Sequence, residues 1–185
     1  MTTLYLLFAH LVADFVLQPK GLLSWKFKNW KGTAFHGLVH FFVTLLLFIP
    51  YLPSWKVVGV LAAVCLTHFT IDIVKIFIEK NGRNYLLYFL LDQAAHVATI
   101  VAGGAFLNGL APHLAAGSLA GRLYENVSII LGLSMLIFVT YTIEIIVYQL
   151  KRAGGSAKNF KPNYRSMVKR AILFAILYAA FMILV

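Results

Sequence analysis

Four pairs of residues, each separated by four positions, carry the chemistry open to this chain: His10 and Asp14, His36 and His40, His68 and Asp72, Asp92 and His96. On an α-helix that spacing puts both side chains on one face, about one turn apart, so each helix offers a two-pronged polar contact in one direction. Five of the six histidines and three of the six acidic residues belong to these pairs. His113 alone falls outside them, in a connection, and reads as a surface residue. Neutral imidazole and carboxylate are the usual ligands of zinc, iron or manganese. Eight such groups exceed the needs of one ion. They suit two divalent ions about 3.5 to 4 Å apart, with a bridging carboxylate and open positions for water and substrate.

The segments that hold these pairs are apolar enough to cross a bilayer. Of the 185 residues 61% are hydrophobic and 12% charged, about half the charged fraction of a soluble domain. The chain therefore reads as an all-α integral membrane protein, a single bundle of six transmembrane helices with no separate soluble domain. The expected spans are residues 3–18, 33–50, 56–79, 84–107, 127–150 and 167–185. Pro19, Gly32, Pro50, Pro53, Gly82, Pro112, Gly154, Gly155 and Pro162 punctuate the gaps. The N-terminal run lacks a basic leader and is read as a retained first helix. The single cysteine, Cys65, lies within a span and can form no intrachain disulfide.

The formal charge of +10 does not point to nucleic acid, because the basic residues cluster at span ends, where membrane topology demands them. Lys20, Lys26, Lys28 and Lys31 follow span one; Lys80 and Arg83 follow span three; Lys151, Arg152, Lys158, Lys161, Arg165, Lys169 and Arg170 follow span five. The other two connections hold only Lys56 and Arg122. This alternation places loops one, three and five in the cytoplasm and both termini outside, with an even number of spans. In "SWKFKNWKG", Trp25 and Trp30 alternate with lysines as in an interfacial segment that meets anionic lipid headgroups.

The same topology sets the depth of each pair. At 1.5 Å of rise per residue all four fall roughly 5 to 18 Å below the cytoplasmic boundary, so they can meet in one layer. Burying eight polar groups in hydrocarbon costs several kcal/mol for each ionisable one unless they pair, face water or bind an ion. Three explanations compete. Interhelical glue returns well under about 1 kcal/mol per bond. A proton or ion pathway spreads its groups along the membrane normal, whereas these lie in one band. A metal centre accounts for both the residue types and the shared depth.

The motifs "HLVADFVLQ", "HGLVH", "HFTIDIVK" and "DQAAH", in that order, resemble an uncharacterised family of bacterial inner-membrane proteins known only as a domain of unknown function. The resemblance covers roughly residues 4 to 100, with spans five and six contributing little. It implies an intramembrane site formed by the four pairs in the bacterial inner membrane. The style of the motifs is also similar to the integral-membrane metal-dependent hydrolases of bacteria, which carry different spacings around their first histidines.

With metals in place the simplest chemistry is hydrolysis, in which a bound water is made nucleophilic at neutral pH. Asp14, Asp72 and Asp92 are the expected carboxylate ligands, and His10, His36, His40, His68 and His96 complete the set, one of them free as acid or base. Lys75 lies one turn from Asp72, placed to pair with it or to neutralise phosphate charge. The catalytic group so expected is His10, Asp14, His68, Asp72 and Lys75. Gln18, four residues after Asp14, is expected to orient a ligand, and Gln93 to make an interhelical hydrogen bond. Glu144 in span five can reach the layer as a ligand or base, or pair with a lysine. Lys20, Lys75 and Arg83 would draw in an anionic, phosphate-containing lipid or related substrate from the cytoplasmic side. A second copy of the chain is also admitted as a partner. The rival reading is a metal-ion or proton transporter using the same cluster, and the third a membrane di-iron oxidase. The sequence contains no Gly-rich phosphate loop, nucleophile elbow or His–Glu–x–x–His signature.

Overall fold

The computed structural model describes residues 1–81, 84–114, 118–156 and 160–184, with the backbone alone at 81 and 120. Gly82, Arg83 and Lys158 lie outside the described residues. Each expected span has a helical counterpart, and among the described residues there is no strand. α1 (Thr2–Leu11) runs directly into a π turn at Val12–Val16. α2 (Lys20–Lys28), α3 (Trp30–Leu47), α4 (Trp55–Asn81) and α5 (Tyr85–Phe106) follow. A short α6 (Leu119–Glu125) leads to α7 (Val127–Ile137), which continues through a second π turn, Phe138–Thr142, into α8 (Ile143–Ala153); α9 (Tyr164–Leu184) ends the fold.

Four stretches are long and apolar enough to cross a membrane: Trp55–Lys80, Tyr85–Phe106, Val127–Ala153 and Tyr164–Leu184. The first two of the six expected crossings do not meet that measure on their own. From Thr2 to Val16 the helix rises only about 22 Å, against a hydrocarbon core of about 30 Å. The chain then turns through 91° into α2. Pro19 sits at this corner with extended backbone and serves as the N-cap of α2. α1 and α2 together count as a fifth, bent candidate. α3 has 18 residues, but Lys31, His36 and His40 lower its apolarity. By length and composition four helices, or five candidates with the bent pair, are long and apolar enough to cross a membrane.

α1, α3, α4 and α5 form the inner bundle; α7 packs on α1, α8 on α5, and α9 on α7 and the second π turn. One end of the inner bundle is an apolar and aromatic layer built on Tyr5, Phe48, Tyr51, Leu61 and Leu107. Tyr124 stacks on Tyr5 with ring centroids 4.2 Å apart. The hydroxyl of Tyr5 donates to the Tyr124 carbonyl, and that of Tyr124 to the Leu47 carbonyl at 2.7 Å. Close crossing of α1 and α5 here requires glycine: a Cβ on Gly104 would stand 2.7 Å from Thr3 Cα.

The second π turn is tied down by a cation. A π turn shifts backbone bonding to i→i+5 and leaves carbonyls poorly paired. Arg170 of α9 donates from Nε to the Val139 carbonyl at 2.7 Å and from Nη2 to the Thr140 carbonyl at 3.0 Å. Its Nη2 also pairs with Glu144 Oε2 at 2.7 Å, and Glu144 Oε1 accepts from the Asn163 amide at 2.7 Å. Glu144 is therefore committed to α9. Arg170→Met is expected to destabilise the protein by about 3 kcal/mol, because it leaves a buried carboxylate unpaired. Thermal unfolding in detergent reads this, with metal content unchanged as the control.

Candidate metal centre

Beyond the apolar layer, all eight paired residues converge in the inner bundle. His10, His36, His40, His68, Asp72, Asp92 and His96 are buried and Asp14 is nearly so. The π turn on α1 explains how Asp14 takes part. Its widened turn, closed by the Leu17 amide on the Val12 carbonyl at 2.9 Å, swings Asp14 off a strict stack over His10. His10 Nε2 is left 3.5 Å from Asp14 Oδ2. Asp14 Oδ1 instead meets α3, lying 2.8 Å from His36 Nε2 and 2.9 Å from His40 Nε2.

These atoms are crowded in a way that protons alone do not satisfy. His36 Nε2 is also 3.2 Å from His40 Nε2 and 2.9 Å from Gln18 Nε2. One imidazole nitrogen carries either one N–H or one lone pair, and so cannot serve all three neighbours at once. His68 Nε2, from α4, approaches the same Asp14 oxygen at 3.8 Å. Ligand atoms of Asp14, His36, His40 and His68 all lie within 4.8 Å of one another, and so do those of His68, Asp72 and His96. Both groups are positioned to hold a metal ion, and they share His68.

The remaining residues divide between these groups and their surroundings. Asp92 lies outside both sets. Its Oδ2 accepts from Lys75 Nζ at 2.7 Å and from Gln93 Nε2 at 3.0 Å, and its Oδ1 is 3.6 Å from His96 Nδ1. It is thus placed to orient His96, as a carboxylate behind a ligating histidine does. Lys75 accordingly sits on Asp92 and not on Asp72. Gln93 bonds its own neighbour Asp92 and also reaches the side chain of His10 on α1, the interhelical contact expected of it. Gln18 meets His36, the orienting contact expected from its spacing. His10 stands beside both groups, its ring centroid 5.1 Å from that of His96 and 5.5 Å from those of His40 and His68.

The partner of Asp72 is a residue that sequence reasoning left in a surface loop. Lys26 Nζ lies 2.7 Å from Asp72 Oδ2, with both side chains buried. α2 brings it there by folding under the bundle after the 91° bend. Gly32 permits the approach, since a Cβ at that position would stand 2.5 Å from the Trp25 carbonyl carbon and 2.6 Å from the Lys26 amide nitrogen. The only available signal was Pro19 followed by a short segment in which lysines alternate with tryptophans, which is also how an interfacial segment reads.

A cavity of about 20 Å³ lies between the histidines and the apolar layer, lined among others by His10, His40, His68 and His96. That is room for one water. The Nε2 atoms of His10, His68 and His96 are buried without a hydrogen-bond partner, although buried polar atoms are normally paired. Unpartnered nitrogens on histidines that line a small cavity are what a bound ion and its water would use.

No curated protein and no solved structure matches the chain. The family described as "Protein of unknown function (DUF3307)" matches residues 2–116, the stretch from α1 to just beyond α5 that supplies every residue of the cluster. The chain belongs to that family.

Proposed function

We propose that this protein is an intramembrane metal-dependent hydrolase of the bacterial inner membrane. In this reading it acts on an anionic, phosphate-containing lipid from the cytoplasmic side, with six crossings and both termini outside. The observation that carries the metal reading is the crowding of Asp14 Oδ1, His36 Nε2 and His40 Nε2 at 2.8 to 3.2 Å from one another. Ligands about 2.1 Å from a common ion stand at roughly such separations.

Asp14, His36, His40 and His68 form the tighter site. Asp72 and His96, with His68 in common, form a weaker second one, since Asp72 is already neutralised by Lys26. Charge supports this inequality. Among the described residues the three carboxylates of the pairs, Asp14, Asp72 and Asp92, meet two ammonium groups, Lys26 and Lys75, so these five groups together carry one net negative charge before any ion enters. One divalent ion reverses it and a hydroxide or phosphate oxygen restores neutrality, the state hydrocarbon favours.

A divalent ion held by Asp14, His36, His40 and His68 would supply a bound water of lowered pKa. His10 is placed to take the proton of a water in the adjoining cavity, and Asp14 Oδ2 to hold the resulting imidazolium. Lys75, through Asp92, fixes the ring of His96. What favours hydrolysis over transport is the closed end of the bundle: the cluster gives way to the layer of Tyr5, Phe48, Tyr51 and Tyr124 and not to a second polar layer. A transport path needs both sides.

The test is elemental analysis of detergent-purified protein, followed by release of inorganic phosphate from phosphatidic acid. About one retained ion per chain, a second gained on metal addition, and metal-dependent phosphate release are expected. Failure to hold metal, even after reloading, would sink the proposal. A visible absorption band with bound iron would replace hydrolase by oxidase.

A further inference from the structure

Lys26 has two sets of neighbours. Its ammonium group meets Asp72 at 2.7 Å, and the residue also lines a cleft of about 200 Å³ between α4 and the start of α3, along with Thr33, Trp30, Lys80, Ile73 and Ile76. We infer that this cleft is a binding site for the phosphate headgroup of an anionic lipid, which Lys26 holds next to the histidine layer. The inference rests on the hydrolase reading only for the fate of the lipid, not for its binding.

Two observations point to an anion. The first is charge. Lys26 is 6% exposed and lies 2.7 Å from Asp72 Oδ2 as an ion pair, and an ammonium group has three donors, more than one carboxylate oxygen uses. Lys80 adds a second, exposed cation at the mouth. The second is the hydroxyl of Thr33, which is fully buried and has no hydrogen-bond partner. Thr44, Thr67, Thr70 and Thr99 each donate to the carbonyl four residues earlier, at 2.7 to 3.0 Å. Thr33 does not, and because it lines the cleft its hydroxyl is a donor still open to a ligand there. A phosphate oxygen accepts from both ammonium and hydroxyl and gains from charge assistance. The start of α3 adds a favourable dipole.

The rest of the cleft fits a lipid better than a soluble anion. Ile73 and Ile76 give it an apolar wall, and Trp30, 62% exposed, stands where an interfacial aromatic meets headgroups. Sites that enclose whole ligands usually exceed 300 Å³ or so. At about 200 Å³ this one takes a headgroup and leaves the acyl chains in the bilayer.

The test uses chelator-treated protein in a neutral detergent, in a Trp25→Phe, Trp55→Phe background where Trp30 is the sole tryptophan. Phosphatidic acid brominated near its glycerol end should quench Trp30 saturably, and brominated phosphatidylcholine should not. Thr33→Val and Lys80→Ala should each weaken the titration about tenfold, as loss of a charge-assisted bond does. Equal quenching by the two lipids, or titrations unmoved by both variants, would overturn the site. Displacement of the lipid by inorganic phosphate at matching concentration would overturn its assignment to a lipid. Because metal is absent throughout, a failed metal centre leaves this affinity intact, and a failed cleft leaves the metal content of the parent protein intact.

Discussion

Asp14→Ala is expected to reduce retained metal from about one ion per chain to a trace, with the helical content unchanged. The carboxylate is the hub of the cluster: its Oδ1 meets His36 and His40 within hydrogen-bond distance and faces His68 at 3.8 Å. Removing it leaves two imidazole nitrogens 3.2 Å apart with nothing negative between them. Loss of a mere outer-shell partner costs 10- to 100-fold in metal affinity. Loss of a direct ligand should exceed about 100-fold. Stability follows by mass action, since a ligand at 1,000 times its dissociation constant contributes about 4 kcal/mol. The parent protein should therefore melt at a lower temperature once chelated, and Asp14→Ala should melt at the same temperature with or without chelator. Asp14→Asn, similar in shape but uncharged, should hold metal to an intermediate degree. Full metal retention in Asp14→Ala would remove the centre from the argument.

Lys26→Met is the second change with a large expected effect, and its sign depends on metal. In the metal-free protein it leaves the Asp72 carboxylate buried and unpaired, which costs about 3 to 5 kcal/mol. Thermal unfolding should register that loss. Added divalent metal should then recover much of it, because Asp72 becomes free to act as a ligand with His68 and His96, which lie within 4.8 Å. Occupancy should rise from about one ion to about two. The double variant Lys26→Met, Asp72→Asn removes both charges, so it should regain stability without metal and lose the second ion. A double-mutant cycle over these variants isolates the pair from the rest of the cluster. If Lys26→Met melts like the parent in the presence of chelator, the ion pair does not hold α2 against the bundle.

Much of the site was legible because helical periodicity is local. Residues four apart share a face whatever the fold does later, so His10, Asp14, His36, His40, His68, Asp72, Asp92 and His96 declared themselves as four prongs. Basic residues at span ends gave an expected topology in which the prongs share one depth. What was not legible came from geometry that spacing does not encode. The π turn at Val12–Val16 has no sequence signature, yet it directs Asp14 toward α3. Lys75 is one turn from Asp72 along α4, but α5 packs against α4 and presents Asp92 nearer. Glu144 shared the depth of the layer and faced away from it, toward Arg170.

The sequence by itself determined that this chain is helical, that long apolar segments make up most of it, and that its polar residues come in pairs fit for an ion. Those properties depend on residue type and on a period of 3.6, both intrinsic to the chain. Only the tertiary structure decided how the pairs divide into two overlapping sets through His68. It alone moved Asp92 behind His96 and brought Lys26 beneath Asp72, because these contacts depend on a 91° break and on close helix approaches such as those at Gly32 and Gly104. Local periodicity says which way a side chain faces on its helix. The packing of helices decides what it meets there.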